Sequence, residues 1–155
     1  MTRALFLDRD GTLTVDVGYP RDPALVEPIP GAIEALRELQ QTWKLVIVSN
    51  QSGIARGLIT QAEASAVHAR VVEVFAEAGV TFAGAYYCPH AVGAGCRCRK
   101  PAPGMLLDAA ADHAIDLEVS AMIGDRQSDL DAGRNAGVTT LVMFESWSQV
   151  LEHLG

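Results

Sequence analysis

The chain has no surplus of positive charge: 12 lysines and arginines stand against 19 aspartates and glutamates, a net charge of −7. Such a balance gives no general attraction to polynucleotide or to an anionic membrane, although a few local cations still suit a single phosphate. Nucleic acid and membrane are therefore excluded as expected partners. No apolar run approaches the length of a membrane span. Met1-Thr2-Arg3 passes directly into an apolar stretch, without the successive regions of a secretory leader, so the cytoplasm is the expected location. Cysteine is scarce, and Cys88, Cys96 and Cys98 all fall in one short region. An odd, local set of this kind in a cytosolic protein favours a metal over disulfides. Internal repeats, low-complexity tracts and linkers are also missing. With 155 residues, 49% of them hydrophobic, the chain is expected to form one domain over 1–155, with a monomer favoured.

What is present is organised around residues 4–13, Ala-Leu-Phe-Leu-Asp-Arg-Asp-Gly-Thr-Leu. The apolar run Ala4 to Leu7 reads as a buried strand that stops at Asp8. In an open α/β sheet, ligands gather beyond the carboxyl ends of the strands, where Asp8 and Asp10 would stand. Alternation along extended backbone puts both on the same side, and Gly11 permits the turn that follows. Two close carboxylates repel unless a shared proton or a cation intervenes, and a hard ion such as Mg²⁺ suits all-oxygen donors.

Further along, Thr14 to Pro30 is broken by glycine and proline and reads as a loop. Helical spacing of Ile33, Leu36 and Leu39 follows Pro30. Leu45 to Val48 forms a second apolar strand, ending at the small donors Ser49-Asn50-Gln51-Ser52-Gly53. The longest helical pattern runs from a Thr60 cap, with Glu63 three residues on, to Gly79, its core face carrying Val67, Val71, Val74 and Phe75. His68, on the same helix, has no nearby partner motif and reads as structural or solvent-facing. Strands are expected at Gly84–Cys88, at 120–123 ending in Gly124-Asp125, and at 139–142. Helices are expected from Pro103 to about His113 and from about Asp129 to Ala136. Alternation of this kind gives a parallel sheet with right-handed crossovers.

Cys88, His90, Cys96 and Cys98 supply three sulfurs and one imidazole, an inventory that fits tetrahedral Zn²⁺ despite unusual spacing. Four protein ligands leave no open position, so the zinc would be structural. Such a loop would also fix Arg99 and Lys100 just beyond its last ligand.

Asp8 and Asp10 after the first strand, Ser49-Asn50 after the second, Lys100 after the metal loop, and Gly124-Asp125 with Asp129 later in the chain together resemble the four motifs of the haloacid-dehalogenase superfamily of phosphotransferases. The resemblance covers nearly the whole chain. It implies a three-layer, Rossmann-like α/β fold with helices on both faces of the sheet. Intervals between the motifs are too short for a large cap domain, leaving the site covered by the Val15–Glu27 loop and the zinc-binding loop. Asp8 would be the nucleophile, forming an aspartyl-phosphate, and Asp10 the general acid and base. Mg²⁺ would be held by Asp8, the Asp10 carbonyl and Asp125. Ser49, Asn50 and Lys100 would stabilise the transferring phosphoryl group, with Asp129 orienting Lys100 or metal-bound water.

Within the superfamily, Asn50 to Gly57, Tyr86 to His90 and Cys98 to Pro101 look like the branch that removes the 7-phosphate of D-glycero-D-manno-heptose 1,7-bisphosphate. The related histidinol-phosphate phosphatases share the catalytic motifs and the metal loop, and the short interval from His90 to Cys96 resembles theirs as much. The implied partner is a small phosphorylated metabolite, a sugar bisphosphate, with Arg56 and Arg99 as candidates for its non-reacting phosphate. A regulatory receiver domain also gathers acids and a lysine around Mg²⁺. Its phosphoacceptor follows the third strand and its lysine the last, an order this chain does not have.

Overall fold

The computed structural model describes residues 2–155. Five strands, β1 (Ala4–Leu7), β2 (Lys44–Asn50), β3 (Gly84–Cys88), β4 (Ala121–Gly124) and β5 (Thr140–Met143), form one sheet in the order β3-β2-β1-β4-β5. Every pairing is parallel. The apolar runs of β1, β2 and β4 explain their central places, because a strand covered on both faces has no side on which to expose a polar residue.

Side-chain alternation divides the core into two layers. Leu5, Leu7, Leu45 and Ile47 pack against helices α1 (Ala32–Leu39), α2 (Gln61–Glu77) and α5 (Trp147–Leu154). Ala4, Phe6, Val46, Val48 and Met122 point the other way, against α3 (Gly104–His113) and α4 (Gln127–Ala136). The expected three-layer α/β arrangement with helices on both faces is thus observed. No helix is long and apolar enough to cross a membrane among the described residues.

Chain order creates the crevice. From β1 the chain builds outward through β2 and β3, then returns to add β4 and β5 on the other side of β1. The strand order reverses between β1 and β4, and ligand sites form at such a switch. Pairing of Leu7 with Ile123 brings the ends of these two strands level, so Asp8 and Asp125 emerge side by side.

Most boundaries match the sequence pattern. The Thr60 hydroxyl accepts the Glu63 N–H at 3.0 Å while the Glu63 carboxylate accepts the Thr60 N–H at 2.8 Å, a complete capping box. Helix α4 starts at Gln127, earlier than Asp129, because the Asp129 carboxylate reaches back to the Arg126 N–H at 3.1 Å. Helix α5 is not among the expected elements, although Trp147, Val150, Leu151 and Leu154 have helical spacing. The Trp147 indole donates to the Thr12 carbonyl at 3.0 Å, tying this helix to the loop after β1. The 14–30 segment contains a short turn of 3-10 helix at Pro23–Leu25, and its ends are zipped by bonds between Val15 and Glu27 and between Ile29 and Leu13. It forms a flap, and among the described residues no large cap domain lies above it.

Candidate active site

Asp8 directly follows β1 and is only 8% exposed. The Lys100 ammonium donates to Asp8 Oδ1 at 2.8 Å and to the Val48 carbonyl at 2.8 Å, and lies 2.6 Å from Asp129 Oδ1. Burial pushes the Asp8 carboxyl up to about 7; Lys100 pulls it down and Asp129 adds to the rise. For Lys100, burial opposes the charge, but the two carboxylates outweigh it and raise its value. The lysine is therefore a fixed cation at the foot of the crevice.

Asp8, Asp125 and Asp129 each place a carboxylate oxygen within 4.8 Å of the other two. Asp125 Oδ1 is buried without a hydrogen-bond partner. An acceptor left in this way is costly unless a cation meets it. Asp129 is already occupied by Lys100 and the Arg126 N–H, which leaves Asp8 and Asp125 as the side chains that fit a hard ion such as Mg²⁺. Gly11 makes room for them: its φ is +88°, and a Cβ there would lie 2.4 Å from Asp125 Oδ2. Any side chain would collide with that carboxylate as well as strain the turn.

Asp10 lines the same cavity, but both of its oxygens are held. Arg9 Nε donates to Oδ1 at 2.8 Å and Arg9 Nη2 to Oδ2 at 3.2 Å. Gln51 Nε2 donates to Oδ2 at 3.0 Å and also to the buried Ser49 hydroxyl at 2.9 Å. Arg9 itself is 1% exposed; its Nη1 faces His68 Nδ1 at 2.6 Å, and its guanidinium lies over the Tyr87 ring at 5.6 Å. His68 stacks on Tyr87 with ring centroids 3.3 Å apart. The sequence pattern gives Arg9 and Tyr87 no role, groups Gln51 with the small donors after β2, and reads His68 as structural or solvent-facing. The arginine between the two acids was the available signal, since a buried arginine must be paired.

Asn50 has a partner that the sequence pattern does not announce. Its amide joins the Lys100 main chain, accepting the N–H at 3.0 Å and donating to the carbonyl at 3.2 Å. It therefore helps place the lysine, while Asn50 also lines the cavity.

The cavity has a volume of about 490 Å³, within the range of small-molecule sites. Asp16, Gly18 and Tyr19 of the flap and Arg99 of the metal loop form part of its wall. Arg99 Nη1 donates to the His90 carbonyl at 3.3 Å. Arg56 is exposed and donates to the Tyr19 hydroxyl, so it meets the cavity through that ring. The structure also places Arg126 on the wall, a cation the sequence motifs had not singled out.

The metal loop closes as its composition suggests. Cys88, His90, Cys96 and Cys98 bring their ligand atoms within 4.8 Å of one another. Cys88 Sγ lies 3.4 Å from His90 Nδ1, 3.7 Å from Cys96 Sγ and 2.9 Å from Cys98 Sγ, and all three cysteines are free. Burial pushes the Cys88 thiol up to about 12, while the Arg99 backbone N–H helps draw Cys96 down to about 6. Three soft sulfurs and an imidazole at these spacings fit a closed zinc site.

Comparison with known proteins agrees with this geometry. Residues 1–79 match the family described as mitochondrial PGP phosphatase, and residues 97–145 match the HAD-hydrolase-like family. The D-glycero-β-D-manno-heptose-1,7-bisphosphate 7-phosphatase of Pasteurella multocida is 41% identical, over 98% of this chain and 86% of its own. That of Haemophilus influenzae is 43% identical, over 97% and 85%. The crystal structure of D,D-heptose 1,7-bisphosphate phosphatase from B. bronchiseptica, complexed with magnesium and phosphate, is 31% identical and has a TM-score of 0.87, covering 99% of this chain and 98% of that one.

Proposed function

This chain belongs to the haloacid-dehalogenase superfamily of phosphatases, and from that premise we propose that it removes the 7-phosphate of D-glycero-D-manno-heptose 1,7-bisphosphate. The observation that carries the chemistry is the buried Asp8–Lys100–Asp129 arrangement, with Lys100 2.8 Å from one acid and 2.6 Å from the other. It presents a nucleophile whose charge is balanced by a cation that cannot leave. The heptose substrate is supported by relatives that match this chain almost end to end.

In this reading Asp8 attacks phosphorus in line, a bond forms from its carboxylate oxygen to phosphorus, and the bond from phosphorus to the sugar oxygen breaks. Asp10 gives its proton to that departing oxygen, then takes one from the water that cleaves the aspartyl-phosphate and restores Asp8. Lys100 and the Ser49 hydroxyl face the transferring oxygens, with Asp129 and Asn50 holding Lys100 in place. Mg²⁺, held by Asp8, Asp125 and the Asp10 carbonyl, would neutralise charge between the dianionic phosphate and the acids.

The second phosphate of the substrate is assigned to Arg99, which lines the cavity, with Arg56 as a more distant contributor through Tyr19. All of these groups come from one chain, so a monomer is sufficient. Free cysteines serving a metal clamp suit a reducing compartment, which supports a cytoplasmic location. A panel of phosphorylated metabolites tests the reading. Phosphate release should require Mg²⁺, should be fastest from the heptose bisphosphate, and should disappear in Asp8→Asn. Preference for histidinol phosphate would overturn the heptose assignment.

A further inference from the structure

Helix α2 contributes no residue to the wall of the cavity, yet one of its side chains reaches the interior behind Asp10. His68 lies between α2 and β3, stacked on Tyr87, with Nδ1 2.6 Å from Arg9 Nη1. A guanidinium has donors only, so the imidazole nitrogen facing it must be the bare acceptor and the ring proton must sit on Nε2. The acceptor fixes the guanidinium about its own plane. With Nη1 so held, Nε and Nη2 meet Asp10 edge on, one to each oxygen.

We propose that His68, acting through Arg9, is a positioning residue for the general acid and base Asp10. The inference rests on the reading of Asp10 given above. A carboxyl group can turn about its last bond, and each rotation would move the oxygen that carries the proton away from the leaving oxygen. Four contacts oppose that rotation here: two from Arg9, one from Gln51 and one from the Thr14 hydroxyl at 3.4 Å. The arginine supplies the shortest of them, and His68 and the Tyr87 face hold the side of the arginine that Asp10 does not. A side chain remote from the phosphate thereby sets the aim of the group that protonates the leaving sugar.

The leaving group tests this separately from stability. A series of aryl and alkyl phosphates spans leaving oxygens that need little help and those that need a proton, and kcat/KM reports all steps through cleavage of the ester bond. His68→Phe keeps the stacking ring and removes the acceptor. Its kcat/KM should fall about tenfold or more on an alkyl phosphate and less than about threefold on p-nitrophenyl phosphate, a loss confined to substrates that use general acid catalysis. Arg9→Lys, which keeps the charge and loses the fork, should steepen the dependence in the same way. His68→Gln, whose amide oxygen restores an acceptor, should return toward the wild-type slope. Equal losses across the series in both His68→Phe and Arg9→Lys, or no loss, would overturn the proposal. Asp10→Asn separates it from the parent reading: a selective alkyl loss in Asp10→Asn without one in the other two variants rejects the role of His68 alone. No selective loss in Asp10→Asn rejects Asp10 as the acid, and the role of His68 with it.

Discussion

The side-chain amide of Asn50 grips Lys100 by its backbone at both ends, accepting its N–H at 3.0 Å and donating to its carbonyl at 3.2 Å. One residue at the end of β2 thus sets where the lysine enters the site from the metal loop. Asn50→Ala should lower kcat by roughly 10- to 100-fold with little change in KM, because small misplacements of a charge-stabilising group act mainly on the transition state. Asn50→Asp should be worse, since the oxygen that replaces Nδ2 faces the Lys100 carbonyl. Steady-state kinetics with saturating Mg²⁺ checks both, and wild-type kcat in Asn50→Ala would remove the brace from the account.

Zinc should be present at about one per chain in protein purified without chelator, as a closed four-ligand site requires. Stripping it should loosen residues 88–100, carrying Arg99 and Lys100 away from Asp8, and activity should not return with Mg²⁺ alone. Hydrogen exchange on this segment, with activity measured before and after zinc is restored, checks the claim. A zinc-free protein with an ordered loop and full activity would contradict it.

His68 should give the fold a pH dependence of known sign. Burial first, and Arg9 second, lower its value from 6.5 to about 4. Above 6.5 the ring is neutral folded or unfolded, and its contribution is fully present. As pH falls from 6.5 to about 4 the unfolded chain binds the proton first, so stability is lost across that window. The full shift corresponds to roughly 3 kcal/mol, and partial exposure of the ring reduces this to ~1–2 kcal/mol. Urea unfolding of wild type and His68→Phe at pH 7 and pH 4.5 should show the variant losing less on acidification. Equal losses would mean that the histidine is not held neutral.

Arg99→Ala should penalise the heptose bisphosphate more than a monophosphate, because only the bisphosphate loses a charge-assisted partner. Arg56→Ala should have a smaller effect, as its guanidinium turns to the Tyr19 hydroxyl. A comparison of kcat/KM for each variant on both substrates decides this; equal losses on the two substrates would remove Arg99 as the second anchor.

The strand runs ending at Asp8 and Asp125, the Thr60 cap and the cysteine loop were legible because each rests on short-range rules of apolar period, capping and ligand chemistry. The parallel sense of the sheet follows from the alternation of those strands with helices. What was not legible depends on contacts across long sequence separations. His68 meets Arg9 only because α2 packs over β1 and β3, and nothing within a turn of His68 announces a guanidinium. The Asn50 side chain reads as one donor among several, and its Lys100 partner lies 50 residues further along the chain. Helix α5 failed for the opposite reason: its spacing was readable, but its anchor, the Thr12 carbonyl, lies near the other end of the chain.

The central claim is that one particular ester of one bisphosphate is cleaved, and ³¹P NMR of the reaction tests it most directly. With enzyme, Mg²⁺ and D-glycero-D-manno-heptose 1,7-bisphosphate, the 7-phosphate resonance should decay as inorganic phosphate grows, while the 1-phosphate resonance persists at full intensity. Prior loss of the 1-phosphate, or an unchanged spectrum from an enzyme that turns over another phosphomonoester, would contradict the account.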